Sequence, residues 1–158
     1  MRHSLIHLLP YRPDQLFAMV GDVEAYPRFV PWITAMRVWN RREESAGVSL
    51  LDAEAAVGFS FLRERFSTRV RRDANRNEIT VSLLQGPFKT LVNRWKFSEH
   101  PAGTQLEFVI DFEFKSHLLQ TVLAANFHRA VEKLVACFED RAKVLYGQDA
   151  PSPGARVN

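Results

Sequence analysis

A chain of 158 residues sits near the common size of one domain, and 46% hydrophobic with 25% charged residues is the balance of an ordinary folded protein. Twelve Phe, three Trp and three Tyr exclude disorder as a description of the whole, while a single cysteine excludes a disulfide framework and a cysteine-built zinc site. The net charge of +3 does not by itself point to nucleic acid.

Residues 2–9 read as a strand stopped by Pro10. The apolar stretch inside it is interrupted by His7 and too short for a secretory h-region, and no run approaches the roughly 20 apolar residues of a membrane span. These features predict a soluble, cytoplasmic protein, with peripheral contact at the inner face of a membrane left open. Pro13 suits the first turn of a short helix, Asp14 suits its positive end, and Leu16, Phe17 and Val20 give it an apolar face ending at Gly21. Asp22 is placed to cap a second short helical stretch from Val23 to about Phe29, bounded by Pro27 and Pro31.

From Thr34 to Lys115 the pattern is β. Gly47, the Asp73–Asn77 cluster, Gly86-Pro87 and Pro101-Ala102-Gly103 divide the region into about six strands. Leu106, Phe108, Ile110, Phe112 and Phe114 alternate with Glu107, Asp111 and Glu113, so one face is apolar and the other charged. Ile79, Val81 and Leu83 alternate likewise, as do Leu91, Asn93, Trp95 and Phe97. Short turns between such strands predict an antiparallel sheet, dry on one side. From Ser116 to Tyr146 apolar residues recur at helical spacing, predicting one rod about 45 Å long across the dry face, stopped by Gly147. Residues 1–147 thus form one α+β domain of order β-α-α-β6-α, and 148–158, with two prolines and a glycine, reads as a disordered tail. A curved sheet gripping one helix seldom closes flush along its length, which predicts a hydrophobic cavity.

Chemistry is hard to place. Of the five histidines only His117 and His128 would share a helix face, three turns apart, and no zincin or calcium-loop spacing occurs. Cys137 reads as a small buried thiol, no serine sits in a nucleophile elbow, and strand acids fall mostly on the wet face. The expectation is no enzyme, no catalytic residue, no metal and no cofactor. Between Phe61 and Arg76 lie six arginines against Glu64 and Asp73, of which Arg63, Arg65, Arg69 and Arg71 share one sheet face. That row is either a solvated face or a contact for anionic headgroups or RNA phosphates; the lack of interleaved aromatics favours lipid. Tyr26, Phe29 and Trp32, set between Pro27 and Pro31, either pack into the core or gate a cavity mouth.

The sequence Tyr26-Pro27-Arg28-Phe29-Val30-Pro31-Trp32, then Gly86-Pro87-Phe88 with Leu91 and Trp95, then Phe112-Glu113-Phe114-Lys115-Ser116, resembles the coenzyme Q-binding START-domain proteins over residues 2–146. These form a polyketide cyclase-like branch of the helix-grip (START/Bet v 1-like) superfamily. The resemblance implies a hydrophobic tunnel holding ubiquinone or a related isoprenoid lipid as bound ligand, serving respiratory electron transport as chaperone or carrier. The same branch includes ribosome-association toxins acting on the large ribosomal subunit, so the ribosome is the alternative partner; a cyclase-like enzyme is the third. The dry faces supply the expected lining: Phe88, Leu91, Trp95, Phe108, Phe112, Leu123 and Phe127, with Phe29 and Trp32 at the entrance.

Overall fold

The computed structural model describes residues 1–59 and 62–147. In chain order it has β1 (Arg2–Leu9), α1 (Pro13–Gly21), a 3-10 helix (Val23–Arg28), then β2 (Ile33–Ser45), β3 (Val48–Phe59), β4 (Leu62–Asp73), β5 (Glu78–Gln85), β6 (Phe88–His100) and β7 (Gly103–Phe114). Two helices, α2 (His117–Ala124) and α3 (Phe127–Tyr146), finish the domain. The strands form one seven-stranded antiparallel sheet in the order β1-β7-β6-β5-β4-β3-β2, so the first strand pairs with the last. This is the α+β order expected from the alternation and the helix-grip fold that the resemblance implies. The expected tail, 148–158, lies outside the described residues.

Local chemistry explains the element ends. Pro13 opens α1, and Gln15 reaches back so that its Oε1 accepts from the Arg12 backbone N–H at 3.0 Å. Leu16, Met19 and Val20 bury the inner face of this helix. Asp22 does stand at the N-cap of the 3-10 helix, but its side chain makes no capping hydrogen bond. At the β6–β7 turn Gly103 has φ +128°, and a Cβ there would meet the Leu9 carbonyl oxygen at 2.4 Å, so glycine is required. The buried Thr104 hydroxyl beside it donates to the Tyr11 carbonyl and ties the end of β1 to β7.

The last helical segment departs from expectation. The apolar periodicity of 116–146 predicts a single rod, whereas α2 and α3 are separate, joined at Ala125 and Asn126. Continuing the buried stripe of α3 (Val131, Val135, Phe138, Ala142) backwards at helical spacing would turn Gln120 inward. Instead its Oε1 accepts from the Phe114 N–H at 3.0 Å, and Ser116 Oγ accepts from Leu119 N–H at 3.3 Å. The first bond ties α2 to the end of β7 and the second caps the start of α2. No proline or glycine marks the break, and Asn126 at the start of α3 is the one residue there that suits a helix boundary.

Candidate functional site

The dry face of the sheet carries two apolar regions. The larger lies under α1 and α3 beyond its first turn, where the Trp95 ring sits 4.8 Å from Phe108 and 4.8 Å from Phe138. Phe138 also meets Tyr26 and Phe29 edge-on, each at 5.0 Å. Trp95 is fixed in turn by its indole N–H, which donates to Asn93 Oδ1 at 2.7 Å. A gap among Leu16, Met19, Trp95, Leu106, Val135 and Phe138 measures only about 10 Å³, at the limit for one water molecule. This half is solid.

The smaller region lies at the other end, under α2 and the first turn of α3. Leu91, Phe112 and Phe114 are buried there, with Phe66, Leu83, Phe88, Leu119, Leu123 and Phe127 packed against them. Phe88 stacks on Phe114 at 4.7 Å, and Phe112 meets Phe127 at 4.8 Å. Its roof is thin: no residue of α2 is buried, and Leu118 is 71% exposed.

Of the expected lining residues, the structure gathers Phe88, Leu91, Phe112, Leu123 and Phe127 in this second region. Trp95 and Phe108 fall instead in the filled half. Phe29 and Trp32 also pack against that half, Phe29 close to Phe138, so they do not stand at a mouth of the α2 region. Phe66, Leu83, Phe114 and Leu119 belong to the region and were not singled out from sequence. Their signals were present: Phe66 shares strand parity with Val70, Phe114 with Phe112, and Leu119 the helical stripe.

Polar groups near the dry face are few and engaged. His128 lies across from His3 with their Nδ1 atoms 2.6 Å apart, and His7 Nδ1 is 3.2 Å from Glu139 Oε1. The helix break thus removes the shared face expected for His117 and His128 and gives His128 a partner on β1. The Tyr26 hydroxyl donates to the Val20 carbonyl, and burial pushes its phenol far above the usual tyrosine range. Cys137 is half-buried rather than enclosed, and burial with nearby Asp140 raises its thiol, the opposite of nucleophile activation. Among the described residues no group of three or more His, Cys, Asp or Glu side chains could hold a metal ion.

On the wet face, Arg63, Arg65, Arg69 and Arg71 do align on β4, but acids on neighbouring elements answer most of them. Arg69 Nε donates to Asp52 Oδ1 at 3.0 Å and its Nη2 to Oδ2 at 3.4 Å, while Asn40 Nδ2 donates to the same Oδ2 at 2.9 Å. These donors, the Arg69 bonds first, hold the buried Asp52 carboxyl below the usual aspartate range. Arg71 Nη2 donates to Glu44 at 2.8 Å, and Arg65 lies 3.6 Å from Glu54. A groove of about 330 Å³ opens beside the end of α1, lined by Phe17, Gly21, Asp22, Ser49 and Arg72 among others. Arg72 there donates to the Gly21 carbonyl and to Ser49 Oγ, both at 3.1 Å, and so braces α1 against the sheet. Asp22 and the carbonyl end of α1 set negative potential beside that guanidinium, which leaves the groove poorly suited to an anion.

Comparison with known proteins settles the wider grouping. Residues 9–139 match the family described as polyketide cyclase / dehydrase and lipid transport. The chain belongs to this family. Within reach of it are the ribosome association toxin RatA of Rickettsia prowazekii, 34% identical over 140 residues that cover 86% of this chain and 92% of that one. A coenzyme Q-binding protein, COQ10 homolog B, mitochondrial, of Xenopus laevis is 29% identical over 160 residues, covering 98% of this chain and 64% of that one. Among solved structures, an 18 kDa protein of Caulobacter crescentus is 60% identical with a TM-score of 0.78, covering 93% of this chain and 99% of that one. An aromatase/cyclase from Streptomyces shares the fold alone, at 18% identity and a TM-score of 0.66 over 91% and 94% of the two chains. No helix among the described residues is long and apolar enough to cross a membrane.

Proposed function

We propose that the protein binds an isoprenoid lipid of the ubiquinone type at the α2 end of the grip, as a carrier or chaperone without turnover. The observation that carries this reading is the contrast in roofing: an aromatic floor of Phe88, Leu91 and Phe112 is covered by a helix with no buried residue. A lipid tail sliding under such a helix replaces weak contacts by apolar ones, at about 25 cal/mol for each Å² removed from water, with no need for polar partners. The family's lipid-transport description and a relative named as coenzyme Q-binding support the ligand class. Mass spectrometry of organic extracts from protein made in a quinone-producing host tests it. Ubiquinone near one per chain is expected, and Leu91→Arg should abolish it; an extract free of quinone at saturating supply refutes the reading.

The second reading, a factor that associates with the ribosome, is favoured by the identity to RatA along most of both chains. Under it the protein co-sediments with large subunits, and Arg63→Glu with Arg65→Glu releases it. Both arginines are exposed, Arg65 over 70% of its side chain.

A further inference from the structure

The segment from Ser116 to Asn126 contains no Asp, Glu, Lys or Arg. Within it α2 turns Leu119 and Leu123 toward the aromatic floor and leaves Leu118 and Val122, one turn apart, 71% and 37% exposed. Cations flank the segment in sequence: Lys115 just before α2, and Arg129 and Lys133 one turn apart on α3, all exposed. The acids of the same stretch are Glu113, which is paired with Lys89 at 3.3 Å, and Glu132. An exposed apolar pair on an uncharged segment, flanked in the chain by exposed basic residues, matches the layered chemistry of a bilayer interface, acyl chains within and anionic headgroups outside.

We propose that α2 seats the protein on a bilayer containing anionic phospholipids, with Leu118 and Val122 entering the acyl boundary and Lys115, Arg129 and Lys133 meeting the headgroups. Two outward side chains are far short of the roughly 1,000 Å² that a stable protein interface needs, whereas shallow insertion aided by cations works at this scale. The proposal rests on the lipid-binding reading, since α2 is also the roof of the proposed site, and it adds a route: the ligand passes between membrane and protein beneath a helix already in contact with lipid.

Flotation with vesicles of phosphatidylcholine and phosphatidylglycerol, about two to one, tests it against vesicles of phosphatidylcholine alone. Wild type should float with the anionic vesicles and lose most of that binding in high salt. Leu118→Asp with Val122→Asp should lower the partition about tenfold or more, Lys115→Glu with Arg129→Glu should remove the preference for anionic vesicles, and Val144→Asp, at the far end of α3, should change nothing. The milder Leu118→Ser, which leaves the floor intact, should give a partial loss and guards against misfolding of the double variant. Wild type remaining unbound, or the Leu118/Val122 variant floating as wild type does, overturns the proposal; a concentration-dependent dimer abolished by that variant, without flotation, assigns the face to a second copy instead. Solution binding of a short-tail ubiquinone separates the two readings. Its presence without flotation sinks only the docking surface, and flotation without it sinks only the ligand site.

Discussion

The two ends of the grip are built from the same residue types and behave as different materials. Under α1 and α3 beyond its first turn, Trp95, Phe108 and Phe138 interlock with Tyr26 and Phe29, beside a gap of only about 10 Å³. Under α2, Phe88, Leu91 and Phe112 are as aromatic and apolar, yet the helix above them buries none of its residues. Hydrophobic content alone therefore does not decide where a fold is rigid; the number of elements that close over a patch does. α1, the 3-10 helix and α3 converge on the first region, and only α2 and one turn of α3 cover the second.

Substitutions can break this contrast in order of expected size. Phe138→Ala removes the ring at the centre of the solid half and should cost about 3–5 kcal/mol in denaturant unfolding. Asp52→Asn should cost about 1–2 kcal/mol, because Arg69 and Asn40 lose a charged acceptor on the buried carboxyl. The pH dependence follows the sign of the shift. The folded carboxyl titrates lower than in the unfolded chain, so its contribution is complete above the ordinary aspartate range and disappears as pH falls through the depressed folded value. Asp52→Asn should accordingly flatten the acid limb of the stability profile. Leu119→Ala, at a half-buried site in the loose half, should cost only about 1 kcal/mol while releasing lipid, readable as lost ubiquinone in the extract. Smallest of all, Val144→Ser at a site 75% exposed should stay within about 0.5 kcal/mol. Hydrogen exchange sharpens the same comparison, with α2 amides expected to exchange well before those of Val131–Ala142 in α3.

Much of the fold was legible because its signals are local. Strand alternation at 106–114 and glycine or proline at 47, 86–87 and 101–103 mark β turns without reference to any partner. The α2–α3 break was not legible, since it depends on Gln120 reaching the Phe114 N–H, a contact between residues on different elements. The site was half legible for a related reason. Parity tells which face Trp95 and Phe112 occupy, and it cannot tell which of them lies below Phe138 and which below Leu123. The arginine row shows the same limit: Arg69 and Arg71 look free along the chain until β3 and the end of β2 bring Asp52 and Glu44 opposite.

The pairing of the first strand with the last has a consequence for birth on the ribosome. Arg2 sits opposite Asp111, so β1 has no hydrogen-bonding neighbour until nearly the whole domain has been translated. Throughout elongation Leu5 and Leu9, covered in the finished fold, travel on an unpaired strand, and a nascent chain stalled before residue 103 would present that strand to chaperones or to other chains.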